Sequence, residues 1–276
     1  MSDRLAHFTR SLRDRTTRVR LGPAPALVVL PEGARPAPLL VWLHGRTASK
    51  ELDAARYLRL LRAGVGTCAL DLPGHGERAD PALQAPQALA PLLARALGEL
   101  DGALAALLEH PTLGPRVDPE RLALGGMSAG GMVTLRRLGE PHRFRCALVE
   151  AAAGDLNAAG EALSELGDRW GEARRAGLDP RDHVGGWRPI PLLALHSRAD
   201  VLVPVVAIER FVVALRAHYR RLGAAAPIEL RTWERTGAAH EHAGFGRRAG
   251  EARRLATEFL TAHLGAPGEL GGENAP

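Results

Sequence analysis

Short apolar runs alternate with longer stretches of helical spacing along most of the chain. "ALVVL" (26–30) and "PLLVWLHG" (38–45) are unbroken apolar runs, the pattern of strands covered on both faces. "SKELDAARYLRLLRAG" (49–64) predicts a helix that ends at Gly64, and "VGTCALDLPGHG" (65–76) a strand running into a Pro/Gly loop. Residues 83–110, rich in Ala and Leu, predict helix with a break near Pro91. "ERLALGG" (120–126) and "FRCALVEAAAG" (144–154) contain the next strands, with a helix over "AGGMVTLRRLG" (129–139) between them. "IPLLALHS" (190–197) and "PIELRTW" (227–233) are the last strands. Helices are predicted over 203–223 and 250–265.

Strand and helix in alternation imply parallel pairing, so the fold class is α/β with a mostly parallel, doubly wound sheet. One domain accounts for residues 25–264, after an N-terminal extension (1–24) and before a loose tail (265–276). Residues 155–188 interrupt the alternation. They form either a short cap over the active edge of the sheet or a plain surface excursion.

Composition narrows the class. The chain has 276 residues, 46% hydrophobic and 24% charged, which is ordinary for a globular enzyme. Its net charge of +5 comes almost wholly from arginine, since Lys50 is the only lysine. The arginines are scattered and aromatic residues make up only 4%, so no nucleic-acid surface is expected. Cys68 and Cys146 both fall inside predicted buried strands without metal-ligand spacing, which argues for a reducing, cytoplasmic setting. The polar start has no apolar signal core and no later run is long enough to span a membrane.

Four glycines surround one serine in "GGMSAGG" (125–131). Glycine is unfavourable within strand or helix, so the cluster needs a tight turn or a close backbone approach to justify it. Residues 126–130 spell G-x-S-x-G after a predicted strand and before a predicted helix, the context of a nucleophile elbow. The alternative is a glycine-rich turn with an incidental serine; a phosphate loop lacks its Gly-Lys-Ser/Thr ending. A serine nucleophile needs a base, itself oriented by an acid. Asp200 in "HSRADVLVP" follows a strand end, with Glu150 and Asp155 as rival acids. His240 and His242 in "TGAAHEHAGFG" both follow the last strand, and the choice between them stays open with a lean to His242. Donors for an oxyanion are expected from the Ala129 amide and from the Arg46 amide after His44-Gly45. The Arg46 side chain either binds a substrate carboxylate or faces solvent, and His44 shapes its loop. In "DLPGHGER" the plain expectation is an ion pair of Glu77 with Arg78 or another arginine, in a loop that borders the pocket.

"HGRTASKE", "DLPGHGER", "GGMSAGG", "HSRADVLVP" and "HEHAGF", taken in order, resemble the α/β-hydrolase superfamily over roughly residues 25–264. Dienelactone-hydrolase-like and prolyl-oligopeptidase-like small bacterial esterases are most similar. The resemblance implies an α/β-hydrolase fold and a serine hydrolase of small carboxylic esters that works through an acyl-enzyme. Ser128 would be its nucleophile, Asp200 its acid and a late histidine its base, with no metal or organic cofactor. Two features depart from it: two histidines compete in the last loop, and Arg46 stands where an apolar or aromatic residue is usual. A thioesterase, a small-peptide hydrolase or a catalytically silent binding fold are the alternatives. A peptidase of the oligopeptidase kind often carries a propeller for which this chain leaves no room. The partners expected are a small-molecule ester and at most a second copy of the chain in a homodimer, with neither nucleic acid nor membrane.

Overall fold

The apolar runs form strands with no exposed side. In the computed structural model, which describes residues 4–163 and 168–265, Ala37–Leu43 (β3), Gly66–Leu70 (β4), Cys146–Glu150 (β6) and Leu192–Ser197 (β7) are buried at every position. Val117–Met127 (β5) lies at the sheet's centre, and Ile228–Trp233 (β8) closes one edge with half-exposed residues. At the other edge stand Thr16–Leu21 (β1) and Ala24–Val29 (β2). Among the described residues the sheet has eight strands in the order β1-β2-β4-β3-β5-β6-β7-β8. The β1–β2 and β2–β4 pairs are antiparallel and all others parallel.

Alternate residues of each strand feed opposite cores. Leu39, Val41, Leu124 and Val149 pack with Leu89–Leu108 (helix α4), Ala129–Arg137 (α5) and Val205–Arg221 (α8). Leu40, Trp42, Leu148 and Leu195 pack with Ala54–Arg62 (α2) and Ala249–Leu264 (α9). The remaining helices among the described residues are Arg10–Arg13 (α1), Pro81–Gln84 (α3), Leu156–Ala162 (α6) and Arg169–Arg175 (α7). Cys68 and Cys146 are free and buried, on strands that are not neighbours. Burial pushes both thiols up to about 12.

Several sequence expectations shift. The expected N-terminal extension contributes α1 and β1 to the fold. Strand β1, "TTRVRL", alternates because only its Val19 and Leu21 side turns inward. The first predicted helix begins at Ala54, five residues late, because Ser49–Asp53 form turns that carry Lys50 into a cluster of acids. Pro91 breaks nothing: it sits in the first turn of α4, where backbone amides have no intrahelical acceptor to lose. The interruption falls earlier, at the 3-10 turn Pro86–Ala88. The 155–188 segment folds as α6, α7 and a 3-10 stretch at Pro180–Gly186, and residues 164–167 within it lie outside the described residues. Residues 266–276 of the expected tail also lie outside them.

Candidate active site

Four strands end at one pocket. Ser128 follows β5 and caps the start of α5 with φ 52° and ψ −119°, a region that β-carbon residues rarely enter. The glycines explain why the chain can turn there. A Cβ on Gly126 would lie 2.4 Å from the Gly130 carbonyl carbon, and one on Gly130 would lie 2.2 Å from the Leu43 oxygen. Strand β5, helix α5 and the end of β3 therefore pass closer than any side chain allows. The Ser128 amide donates to the Glu150 carbonyl (2.8 Å), and the Ser128 carbonyl accepts from Met132 (2.9 Å), which locks the turn from both sides.

Its hydroxyl is engaged. The Ser128 Oγ donates to Nε2 of His242 at 2.9 Å, and His242 Nδ1 donates to Oδ2 of Asp200 at 2.7 Å. The Asp200 carboxylate is fully buried, and its other oxygen accepts the Leu202 and Val203 amides at 2.9 and 2.8 Å. Those amides fix its direction in the loop after β7. His196 Nε2 stands 3.5 Å from Asp200 Oδ2 and donates to the Val203 carbonyl (2.8 Å). Burial pushes the pKa of His196 down, so it is a neutral neighbour that leaves the Asp200 charge to His242. A hydroxyl, an imidazole and a carboxylate so linked can pass a proton from oxygen to nitrogen while the carboxylate holds the ring.

The other candidates fall elsewhere. His240 is exposed and lines the same pocket, but no side-chain bond joins it to Ser128 or Asp200. Glu150 is spent on Arg56 (2.7 Å), whose guanidinium stacks on Trp42, and Asp155 caps α6 through the Ala158 amide (2.8 Å). Ala129 opens α5, at the position where a helix leaves its amides without internal acceptors. Gly45, beside Arg46, packs directly on the serine: a Cβ there would meet Ser128 Cβ at 3.3 Å. His44 is consumed in shaping that loop. It accepts the Leu72 amide at Nε2 (3.0 Å) and donates from Nδ1 to the Gly45 carbonyl (2.7 Å), and burial pushes its pKa down to about 4.

The "DLPGHGER" loop lies behind the pocket, not on its wall. Glu77 pairs with Lys50 (2.8 Å) and Arg18 (3.0 Å), and Arg78 with Glu99 (2.6 Å), so the Glu77–Arg78 pair does not form. Lys50, its ammonium fully buried, also reaches Asp71 (2.7 Å) and Glu51 (2.9 Å). Burial opposes its charge, yet three carboxylates hold its pKa above the ordinary lysine value. Sequence reasoning passed over this cluster, although a single lysine in the chain was a signal. It also passed over Glu241. That carboxylate accepts the Thr236 amide (2.6 Å) and hydroxyl (2.7 Å), the Gly237 amide (2.9 Å) and the Ser197 hydroxyl (2.9 Å).

The pocket has a volume of about 360 Å³ and is bordered by Ser128, His242, Met132, Leu202 and, from α7, Arg169 and Trp170. Trp187 lies in the core, where it packs on Phe211 (5.5 Å). Among the described residues no helix is long and apolar enough to cross a membrane.

Residues 99–267 match the prolyl oligopeptidase family of peptidases. The chain belongs to that family. It is thus a serine hydrolase with an α/β-hydrolase fold, as the sheet and its flanking helices show. Among solved structures it is similar to TT1662 from Thermus thermophilus, with 26% identity and a TM-score of 0.66 over 91% of this chain and 98% of that one. A puromycin-hydrolyzing peptidase of Mycobacterium tuberculosis shares 23% identity (TM-score 0.69); the match covers 91% of this chain but only 40% of the peptidase. The esterase Est2 of Thermogutta terrifontis, solved with propionate bound, shares the fold at 18% identity (TM-score 0.63, 90% and 93% covered). No curated protein sequence matches this family member.

Proposed function

We propose that this chain hydrolyses small carboxylic esters through an acyl-enzyme on Ser128. The observation that carries the reading is the unbroken link of 2.9 and 2.7 Å from Ser128 through His242 to Asp200, at the floor of a pocket of about 360 Å³. Est2 of T. terrifontis, named an esterase, matches over nine tenths of both chains and favours esters over peptides as the first substrates to try.

In this reading Ser128 Oγ attacks the ester carbonyl as its proton passes to His242 Nε2. Asp200 holds the ring and stabilises the imidazolium. The amides of Ala129 and Arg46 receive the oxyanion. Loss of one such donor typically removes about 3 to 4 kcal/mol of transition-state stabilisation. His242 returns the proton to the departing alcohol, then takes one from water, which releases the acid and restores Ser128.

The test is a p-nitrophenyl ester series from acetate to long acyl chains, with alanyl p-nitroanilides in parallel and Ser128→Ala as the control. Wild type is expected to cleave short esters, and the control to lose about 10⁴-fold or more. Anilide cleavage without ester cleavage would move the reading to a peptidase. A folded protein inert to every substrate and to a fluorophosphonate probe would mark a silent fold.

A further inference from the structure

Among the described residues, two guanidinium groups and no carboxylate line the pocket. Arg46, from the loop after β3, and Arg169, from α7, both line it with half-buried side chains. Arg46 Nη1 donates to the Gln84 carbonyl (3.0 Å) and Arg169 Nη2 reaches the Leu202 carbonyl (3.4 Å). Each thus spends one of its five N–H donors on a neutral carbonyl. Among the described residues neither forms an ion pair, whereas Arg56, Arg78 and Arg137 each do. Arg169 also lies over the Trp170 ring, 5.0 Å from its centroid, which fixes the plane of the fork. Trp170 is 2% exposed and its indole N–H has no acceptor among the described residues, so a buried donor borders the same pocket beside the two half-buried guanidiniums.

Like charges in one pocket repel, and partial burial adds to the cost. Both guanidiniums show it. Burial pushes the pKa of each down, and for Arg169 the charge of Arg46 adds to the effect. A bound anion would offset both penalties through its attraction to the two charges. Planar N–H forks favour a carboxylate, which can accept two parallel bonds.

We infer that Arg46 and Arg169 form a carboxylate subsite in the pocket beside Ser128, so the preferred substrates are esters that carry a free carboxylate. This rests on the ester-hydrolase reading above and names its substrate class. The ester carbonyl faces Ser128 while the distant carboxylate engages the two arginines. The subsite selects; it takes no part in the acyl transfer.

Two pairs of esters, each with and without a carboxylate, test it. Mono-p-nitrophenyl adipate against p-nitrophenyl hexanoate places the charge in the acyl group. 5-Acetoxy-2-nitrobenzoate against p-nitrophenyl acetate places it in the leaving group. We expect wild type to favour the charged member of at least one pair in kcat/KM. That preference is expected to fall at least tenfold in Arg169→Gln and to survive in part in Arg169→Lys, with the change mainly in KM. In wild type, added salt is expected to raise KM for the charged ester and not for its neutral partner. No preference in either pair, or a preference indifferent to both salt and Arg169→Gln, overturns the subsite even where neutral esters are cleaved. If wild type cleaves none of the four, the ester reading fails separately. Calorimetric titration of adipate and hexanoate monoesters onto Ser128→Ala then decides the subsite: tighter adipate binding sustains it and equal binding overturns it.

Discussion

Glu241 decides which of two neighbouring histidines faces Ser128. Its carboxylate gathers two amides and two hydroxyls from Ser197, Thr236 and Gly237, and the Thr236 amide above all holds its carboxyl down at about 2. His240 and Glu241 themselves sit at φ 54° and 53°, two successive left-handed residues that only a well-anchored loop sustains. The turn they make carries His240 outward and His242 onto Ser128. His242→Ala is therefore expected to lose about 10⁴-fold in ester turnover, and His240→Ala far less. Glu241→Ala, which keeps both histidines but frees the loop, is expected to lose up to about 10²-fold in kcat through misplacement alone. Equal losses for the two histidine variants would break the assignment. The sequence pointed to Ser128 through a glycine cluster and to Asp200 through its place after a strand, with Glu150 and Asp155 as rivals, because such signals are local. It left the histidine open because both candidates follow the same strand. What separates them is a pair of positive φ angles set by side-chain bonds to residues as far away as Ser197.

Lys50 joins the two loops behind the pocket. "HGRTASKE" carries the Arg46 amide and "DLPGHGER" carries Asp71 and Glu77, and the Lys50 ammonium binds acids of both, while its own amide donates to Asp71 Oδ1 (3.0 Å). Asp71 is 1% exposed, so Lys50→Met strands a buried carboxylate. Removing one partner of such a pair costs about 3–5 kcal/mol, and urea unfolding should show a midpoint lowered to match. Turnover should fall too, as the loop that positions the Arg46 amide loosens. A Lys50→Met protein as stable and active as wild type would show the cluster to be ornamental. Elements with a continuous apolar run were legible in the sequence to within a few residues: β3, β5, β6, β7 and α8 stand where the pattern places them. Edge strand β1 was not, since an exposed strand has little apolar signal to read. The late start of α2 was not either, because the turns before it are held by acids that lie 20 residues and more along the chain.

At the scale of the whole molecule, buried histidines tie stability to pH. His44, His75 and His196 are 2%, 0% and 0% exposed, and burial pushes the pKa of each down, for His44 to about 4. His142 is likewise pushed to about 4 by burial, with Arg188 and Arg137 adding to the effect. In the unfolded chain a histidine takes up its proton near pH 6.5. Folded His44 and His142 refuse it until about pH 4, and His75 and His196 until a lower pH than a free ring, so below about pH 6.5 the unfolded state binds more protons and gains from each. The stabilisation is thus complete above about pH 6.5 and drains as pH falls toward 4, by about 1.4 kcal/mol per pH unit for each fully linked proton. Two acids act the other way: burial raises the carboxyls of Glu150 and Asp179, so the folded state holds their protons more readily. Each adds stability once pH falls to its raised folded value, so the pair offsets part of what the histidines lose. At lower pH Glu77, held down to about 2 chiefly by Lys50, and Glu241 extend the loss, because their stabilisation disappears as pH falls toward their folded values. Urea midpoints measured from pH 8 to 4 should accordingly be level at the alkaline end and decline below about 6.5, steeply enough to reflect more than one proton. A midpoint that stays level or rises between 6.5 and 5, with the imidazole NMR shifts of the folded protein titrating over the same range, would mean that these rings accept protons inside the fold. That would contradict the neutral His44, which must accept the Leu72 amide at Nε2 to hold the loop beside Ser128.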